Sequence, residues 1–214
     1  MIKIIPAINV ISQNEFEKQI KSVENSVDLV QIDIADGKFT HWKNWADAEK
    51  IKEIPTTLSY ELHLMVENPI QELKKWESLS NVQRIVVHTE SFKEINLELF
   101  HKLVDFGFEV GFALNPKTSI EKIEFLLPNL EYILFLGVSP GKSGQKFQKK
   151  VLEKIKKIKV AFPHIKIEVD GGVNEGTAKN ISKAGADILC IGSAIFNENG
   201  TPAENLTFFN NLVN

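Results

Sequence analysis

The stretch LFLGVSPGKSG at residues 134–144 is followed by VDGG at 169–172 and by IGSA at 191–194. Each stretch is a short apolar run that ends in small residues, the pattern of a strand that enters a glycine-rich turn. A turn of this kind ahead of a helix leaves backbone N–H groups directed at an anion. Three such turns in succession predict one phosphate held by neighbouring loops, as on the late loops of barrels of alternating strands and helices.

The same alternation of apolar β-branched runs and amphipathic stretches continues along the whole chain. We expect strands near 2–8, 28–34, 58–65, 84–88, 108–114, 131–138, 165–170 and 187–192, and helices near 13–24, 45–53, 69–78, 93–106, 118–127, 147–161, 175–184 and 202–212. Eight strands that are each followed by a helix predict an α/β protein with a closed parallel barrel, the (β/α)8 TIM barrel. No linker divides the chain, so residues 1–214 are expected to form a single barrel domain. An open doubly wound sheet is the alternative, but the first strand lacks the GxGxxG turn of that fold.

The composition is that of an ordinary soluble globular protein, with 43% apolar residues, 25% charged residues and a formal net charge of −3. Without a large basic excess, nucleic acid is not an expected partner, whereas backbone amides can still hold a small phosphate. The single cysteine, Cys190, lies in the apolar run DILCIG and is expected to be buried rather than catalytic. No apolar run approaches the length of a signal peptide or a membrane span, so a cytoplasmic protein without a membrane partner is expected.

Polar side chains occur at the predicted C-terminal ends of the strands, the end that faces the active site in such a barrel. Because side chains alternate along a strand, Gln31 shares a direction with Asp33, and Glu61 shares a direction with His63. The same parity directs Asp170 into the barrel. We therefore expect Asp33, His63 and Asp170 to converge at one mouth.

Two carboxylates across a pocket suit the removal of a proton from one face of a carbon and its return to the other face. A histidine with two aspartates can also bind a divalent metal that stabilises an enolate oxygen. Structural alternatives remain open for each residue. Asp170 can cap the glycine turn, Asp33 can pair with Lys3 or Lys166 inside the barrel, and His63 can be a core histidine.

His88 and Glu90 lie at the end of the fourth predicted strand, in the run VVHTES. They are therefore also expected near the mouth. As a signal of catalysis this pair is weaker than the other three residues, and a structural role is favoured for both.

Taken together, these segments resemble the ribulose-phosphate 3-epimerase family over nearly the whole chain and in the same order. The segments that carry the resemblance are IIPAI, QIDIADGKF, ELHLMVENP, VVHTES, GFALNPKT, GVSPGKSGQKF, VDGGVN and AGADILCIGSAIF. The combination of HLMVxNP, PGxxGQKF and DGGxN is specific, because a chance match to all three in order is implausible.

The resemblance implies a TIM barrel that binds a small phosphorylated sugar and inverts C3 of a ketopentose phosphate through an enediolate. It implies interconversion of D-ribulose 5-phosphate and D-xylulose 5-phosphate in the pentose phosphate pathway, with Asp33 and Asp170 as the acid/base pair. The same two aspartates and His63 are implied to hold a divalent metal, Zn, Fe or Mn. A homo-oligomer is also expected by resemblance. The phosphate- and substrate-binding positions implied are Ala7, Met65, Gly141, Gly144, Gly171, Gly172, Gly192 and Ser193.

The chain departs from the family pattern on the sugar side of the site. Gln31 stands where the family has a histidine ligand, and an amide oxygen suits harder cations better than zinc, which makes the metal uncertain. Ala7 replaces a serine, and Asn9 two positions later can offset that loss. Ala35 and Leu136 replace methionines of an apolar wall, so a roomier pocket is expected.

The segment KFTHWKNW at 38–45 also departs from the family pattern, and its aromatic residues can reshape a lid or contact another subunit. Two other functions therefore stay open. The same barrel and phosphate site can act on a different phosphosugar or in a different enolate reaction. A non-catalytic protein that binds a phosphometabolite is the third possibility, which the presence of both aspartates and His63 disfavours.

Overall fold

The computed structural model describes residues 1–141 and 145–214, and the strands within them close into one parallel barrel. Each strand pairs with the next, and the last strand pairs with the first. The TIM barrel predicted from the alternation is therefore confirmed. The strands are β1 Lys3–Ile8, β2 Leu29–Ala35, β3 Ser59–Met65, β4 Val82–His88, β5 Glu109–Leu114, β6 Tyr132–Leu136, β7 Lys166–Asp170 and β8 Ile188–Ile191.

Helical segments connect successive strands on the outside of the barrel. They are α1 Gln13–Val23, α2 Ala48–Lys52, α3 Pro69–Leu73, α4 Leu97–Val104, α5 Val151–Ala161, α6 Glu175–Ala184 and α7 Pro202–Val213, with a 3₁₀ helix at Ile120–Asn129 between β5 and β6. In the part of the chain that the structure describes, none of these helices has the length and apolar character needed to cross a membrane.

The α-helix predicted at 118–127 is wrong in type, because this segment is a 3₁₀ helix. Its buried side chains Ile120, Ile123 and Leu126 recur at intervals of three, which matches the three residues per turn of a 3₁₀ helix. The predicted helix at 69–78 is also too long. After Leu73 the backbone changes to bonds between residues three apart, and Trp76 N–H donates to the Leu73 carbonyl at 2.9 Å.

The helix boundaries follow local capping. Asn174 and Thr201 form capping boxes at the starts of α6 and α7, and Pro202 occupies the first turn of α7. α6 ends at Gly185, whose φ of +108° lies in the left-handed region that favours glycine. These caps fix where α6 and α7 begin and where α6 ends before β8.

Side-chain alternation divides the strands between two environments. Ile32 and Leu62 belong to the large apolar core shared with the helices. The residues that alternate with them point into the barrel interior. Both sets are buried in β2. Along β2 and β3, the register places Gln31 beside Glu61 and Asp33 beside His63. The barrel interior therefore contains polar side chains at two successive levels.

Candidate active site

A pocket lies at the C-terminal ends of the strands and includes about 550 Å³ of space, part of which is open to solvent. Residues from β1, β2, β7 and the turns after β6, β7 and β8 contribute to its walls. Gly144, expected to bind phosphate, lies outside the described residues. The other expected pocket residues that line this space are Ala7, Asp33, Met65, Gly141, Asp170, Gly171, Gly172, Gly192 and Ser193.

Asp33, His63 and Asp170 meet at the base of this pocket. His63 Nδ1 lies 3.0 Å from Asp33 Oδ1 and 3.3 Å from Asp170 Oδ2. The histidine is fully buried, and both aspartates are nearly so. The carboxylate of Asp170 is thus directed at His63 rather than at the glycine turn that follows it.

Neutral amides hold the Asp33 carboxylate. Gln31 Nε2 donates to Asp33 Oδ1 at 2.9 Å, and Asn9 Nδ2 donates to Asp33 Oδ2 at 2.9 Å. The alternative of a lysine partner is wrong, because within 1–141 and 145–214 no lysine pairs with Asp33, and Lys166 Nζ lies 3.3 Å from Tyr132 Oη. Burial, and next the Asp170 carboxylate, raise the pKa of Asp33 despite the hydrogen bonds from His63 and Asn9. Asp33 is therefore held in a fixed orientation, and its ionised form is less favourable than that of an exposed aspartate.

For His63, in contrast to Asp33, hydrogen bonds outweigh burial in setting the pKa. Burial alone would lower its pKa, but the hydrogen bonds to Asp170 and Asp33 outweigh burial and raise the pKa of His63 to about 10. Two carboxylates in a nearly closed site thus require a positive charge between them.

The same three side chains form a donor set for a divalent metal. One atom from each of Asp33, His63 and Asp170 lies within 4.8 Å of the others. Carboxylate oxygens and an imidazole nitrogen suit Zn, Fe and Mn. Gln31 Oε1 is buried beside them and has no hydrogen-bond partner among the described residues. The residues present therefore fit a metal, with an unused amide oxygen next to it.

His88 and Glu90 extend this arrangement below the pocket. His88 Nε2 lies 3.0 Å from His63 Nε2, and His88 Nδ1 lies 3.2 Å from Glu90 Oε2. Burial is the main cause that lowers the pKa of His88 to about 4. Burial would raise the pKa of Glu90, but hydrogen bonds from His88, Thr118 and the Asn115 backbone lower it to about 2. A structural role was favoured for this pair, and the contact with His63 was not predicted; the parity of His88 with Arg84 along β4 is the signal that could have found it.

The segment after β2 supports the site from above. Asn44 Nδ2 donates to the Asp33 carbonyl at 2.7 Å and to Asn9 Oδ1 at 3.2 Å, while Ala35 N–H donates to Asn44 Oδ1 at 2.9 Å. Trp42 Nε1 donates to Asn9 Oδ1 at 3.5 Å. This segment therefore orients Asn9, which in turn contacts Asp33. Nothing in the local pattern around Asn44 signalled that role.

The turns after β6 and β7 are pressed together. Gly171 and Gly172 have φ values of +85° and +72°. A Cβ on Gly171 would lie 2.6 Å from Val138 Cγ2, and a Cβ on Gly172 would lie 2.9 Å from the Phe147 backbone nitrogen. Only glycine allows the two turns to approach this closely, which brings their backbones to one side of the pocket.

A second charged cluster lies one level deeper in the barrel. Arg84 Nη1 lies 2.5 Å from Glu61 Oε2 and 3.0 Å from Glu168 Oε2. Its guanidinium group also lies 3.8 Å from the centre of the Tyr132 ring. Cys190 Sγ donates to Glu168 Oε1 at 2.6 Å, so the thiol is buried as expected and is also hydrogen-bonded.

A closed parallel barrel with two carboxylates and an imidazole at its C-terminal mouth defines a TIM-barrel protein with its site at the usual end of the fold. Residues 3–196 match the family described as the ribulose-phosphate 3 epimerase family. The chain therefore belongs to the ribulose-phosphate 3-epimerase family and is an enzyme of the carbohydrate epimerase class.

Several relatives named ribulose-phosphate 3-epimerase match nearly end to end. The Bacillus subtilis protein is 32% identical over 206 residues, which cover 92% of this chain and 94% of the relative. The Helicobacter pylori J99 protein is 34% identical, with 91% of each chain covered. The Methanocaldococcus jannaschii protein is 35% identical over 203 residues, which cover 92% of this chain and 85% of the relative.

Solved structures of other enzymes share the fold at lower sequence identity. The 3-hexulose-6-phosphate synthase from Salmonella typhimurium has a TM-score of 0.72 at 14% identity, over 99% of this chain and 98% of that chain. Orotidine 5'-monophosphate decarboxylase from Sulfolobus solfataricus has a TM-score of 0.67 at 16% identity, over 100% and 98%. These likenesses concern the barrel alone.

Proposed function

We propose that the protein inverts C3 of a ketopentose phosphate and so interconverts D-ribulose 5-phosphate and D-xylulose 5-phosphate. The observation that carries this proposal is the pair of carboxylates, Asp33 and Asp170, on either side of His63 Nδ1 at the base of the pocket. Membership of the epimerase family supports it, and the relatives with this name match more than nine-tenths of the chain.

The acid/base chemistry is assigned to Asp33 and Asp170. Inversion requires one group to remove the C3 proton from one face and a second group to deliver a proton to the opposite face. Asp33 lies on β2 and Asp170 on β7, so the two carboxylates approach a bound sugar from different sides of the barrel. Burial and the Asp170 carboxylate raise the pKa of Asp33, which suits a group that both removes and delivers a proton.

The phosphate group is assigned to the turns after β6, β7 and β8. Gly141, Gly171, Gly172, Gly192 and Ser193 line the same pocket as the two aspartates. Backbone N–H groups of closely apposed turns bind anions without needing a net positive charge. This assignment places the phosphate at one end of the sugar and C3 over the carboxylates.

A divalent cation would be held by Asp33, His63 and Asp170. When bound, it would supply positive charge that stabilises the oxygens of the enediolate. Asn9 and Gln31 orient the Asp33 carboxylate in the same small space through their two 2.9 Å hydrogen bonds.

A different phosphosugar is the second candidate, and Ala7 favours it. This small side chain lines the pocket and offers no polar group to a substrate hydroxyl. Asn9 lies in the same wall but directs its amide at Asp33. A ketose phosphate that differs near this wall would use the same carboxylates and the same turns.

The decisive experiment measures the conversion of ribulose 5-phosphate by the purified protein. The bound metal is quantified, and the assay is run with added Zn²⁺, Fe²⁺ or Mn²⁺ and with a strong chelator. We expect conversion that depends on metal. No conversion with any metal would reject the epimerase, full activity in chelator would reject the metal alone, and faster epimerisation of another ketose phosphate would favour the second candidate.

A further inference from the structure

A chain of three side chains leads from the pocket to the end of β4, and the proposed acid/base chemistry leaves two of them without a role. We propose that Glu90 and His88 are positioning residues that set the tautomer of His63, so that His63 Nδ1 presents a lone pair to a metal between Asp33 and Asp170. This inference rests on the metal site of the proposed function. The contacts of these side chains determine which atom carries each hydrogen.

Glu90 fixes the first hydrogen. Its Oε1 accepts from the Asn115 backbone N–H at 3.0 Å and from the Thr118 hydroxyl. A backbone N–H can only donate, so this position requires an oxygen. The other oxygen, Oε2, lies 3.2 Å from His88 Nδ1 and likewise can only accept. His88 must therefore carry a hydrogen on Nδ1.

His88 passes this constraint to His63. A neutral imidazole with a hydrogen on Nδ1 has its lone pair on Nε2. The two Nε2 atoms are 3.0 Å apart, the ring centres are 5.1 Å apart, and the ring planes are inclined by 27°. A single hydrogen fits between these atoms, and it must belong to His63 because His88 Nε2 is the acceptor.

His63 then has one arrangement in its neutral form. With a hydrogen on Nε2, the lone pair is on Nδ1, which faces Asp33 Oδ1 at 3.0 Å and Asp170 Oδ2 at 3.3 Å. This is the tautomer that ligates a metal through Nδ1. Groups that hold the second nitrogen of a ligating histidine fix its orientation, and their loss lowers metal affinity roughly 10- to 100-fold.

The substitution Glu90→Gln changes one side-chain atom and thereby reverses the direction of the hydrogen bonds from residue 90 through His88 to His63. The Asn115 backbone N–H continues to require the side-chain oxygen at its side, so the new amide nitrogen faces His88 Nδ1. That nitrogen donates, which forces His88 to carry its hydrogen on Nε2. His63 must then accept at Nε2 and carry a hydrogen on Nδ1, where the metal would bind.

Two measurements test this reversal. Long-range ¹⁵N–¹H NMR of the metal-free protein reports which nitrogen of His88 is protonated, and titration with Zn²⁺ and Mn²⁺ in the absence of substrate reports affinity. We expect an Nδ1–H His88 in the unaltered protein and an Nε2–H His88 in Glu90→Gln. We also expect metal affinity to fall roughly 10- to 100-fold.

Glu94→Gln is the matched control, because Glu94 is an exposed acid on the same connection between β4 and α4. This substitution removes the same single negative charge. It should leave tautomer and affinity unchanged. An Nε2–H His88 in the unaltered protein would overturn the inference even if Glu90→Gln did not fold, as would Glu90→Gln with unchanged tautomer and metal affinity. A tautomer reversal in a protein without epimerase activity would instead retain the inference and reject the proposed function.

Discussion

Two layers of buried charge lie one above the other inside the barrel, and both contain two carboxylates. The upper layer joins Asp33 and Asp170 through His63, and the lower layer joins Glu61 and Glu168 through Arg84. The layers are two residues apart along β3 and β7, so alternation places both inside. They differ in the cation that joins the acids and in access to the pocket.

The lower layer is closed. Glu61 and Glu168 have no exposed surface, and the Arg84 guanidinium spans both. Burial and the Glu168 charge raise the pKa of Glu61 well above its ordinary value, so its ionised form depends on the Arg84 cation beside it. A guanidinium stays protonated and cannot give up its proton to bind a metal, and this layer is therefore structural.

The upper layer is accessible from the pocket. Asp33 and Asp170 retain 6% and 8% exposure on the pocket side, and an imidazole joins them instead of a guanidinium. An imidazole can release its proton and bind a metal in its place. Carboxylates two residues apart on one strand thus acquire different roles from the cation beside them.

The largest expected effect comes from Asp170→Asn in the upper layer. Loss of one acid/base group should lower turnover by about 10²- to 10⁴-fold, while the turns still bind phosphate. Steady-state epimerase assays and phosphate-analogue titration measure the two quantities. Glu168→Gln, two residues earlier on β7, is the matched control and should change stability rather than turnover. Asp170→Asn with unchanged turnover would refute the acid/base assignment.

Arg84→Met tests the lower layer. It leaves two buried acids without their cation, which should lower the free energy of unfolding by about 3–5 kcal/mol. Urea unfolding measures this change, and turnover per folded molecule should stay within a few fold. The triple variant with Glu61→Gln and Glu168→Gln should recover part of the stability. Unchanged stability in Arg84→Met would contradict a structural role for this layer.

Gln31→His should raise the metal affinity of the upper layer by adding a second imidazole beside Asp33. Since an imidazole is a better ligand for zinc than an amide, Zn²⁺ should bind about 10-fold more tightly. Calorimetric titration of the metal-free protein measures the affinity. Gln83→His adds the same ring at an exposed position of β4 and should have no effect. Weaker Zn²⁺ binding in Gln31→His would show that Gln31 Oε1 already serves the metal well.

Cys190→Ser should have the smallest effect, because a hydroxyl can also donate to Glu168. We expect a loss of about 1 kcal/mol in unfolding free energy and turnover within about twofold. Burial is the main cause that raises the pKa of the thiol well above its ordinary value, so native Cys190 should also resist alkylation. A large loss of turnover in Cys190→Ser would indicate a catalytic thiol instead.

Much of the fold and part of the site follow from local pattern. The alternation of strands and helices predicts the closed barrel, and the period of two along a strand places Asp33, His63 and Asp170 on the inner side. These are properties of short segments, so the sequence contains them directly. The 3₁₀ helix at Ile120–Asn129 is also present in the three-residue spacing of Ile120, Ile123 and Leu126, but so short an apolar pattern predicts an α-helix equally well.

Local sequence pattern specifies which side chains enter the barrel, whereas their contacts form only when the strands come together. Arg84 reaches Glu168 across 84 positions of the chain, and His63 meets His88 across 25. Asn44 reaches the Asp33 carbonyl only because the segment after β2 folds back over that strand. Closure of the barrel brings β4 and β7 together across the interior, and strand pairing sets the register of β3 against β4. These partners are remote in sequence, so no local period specifies them.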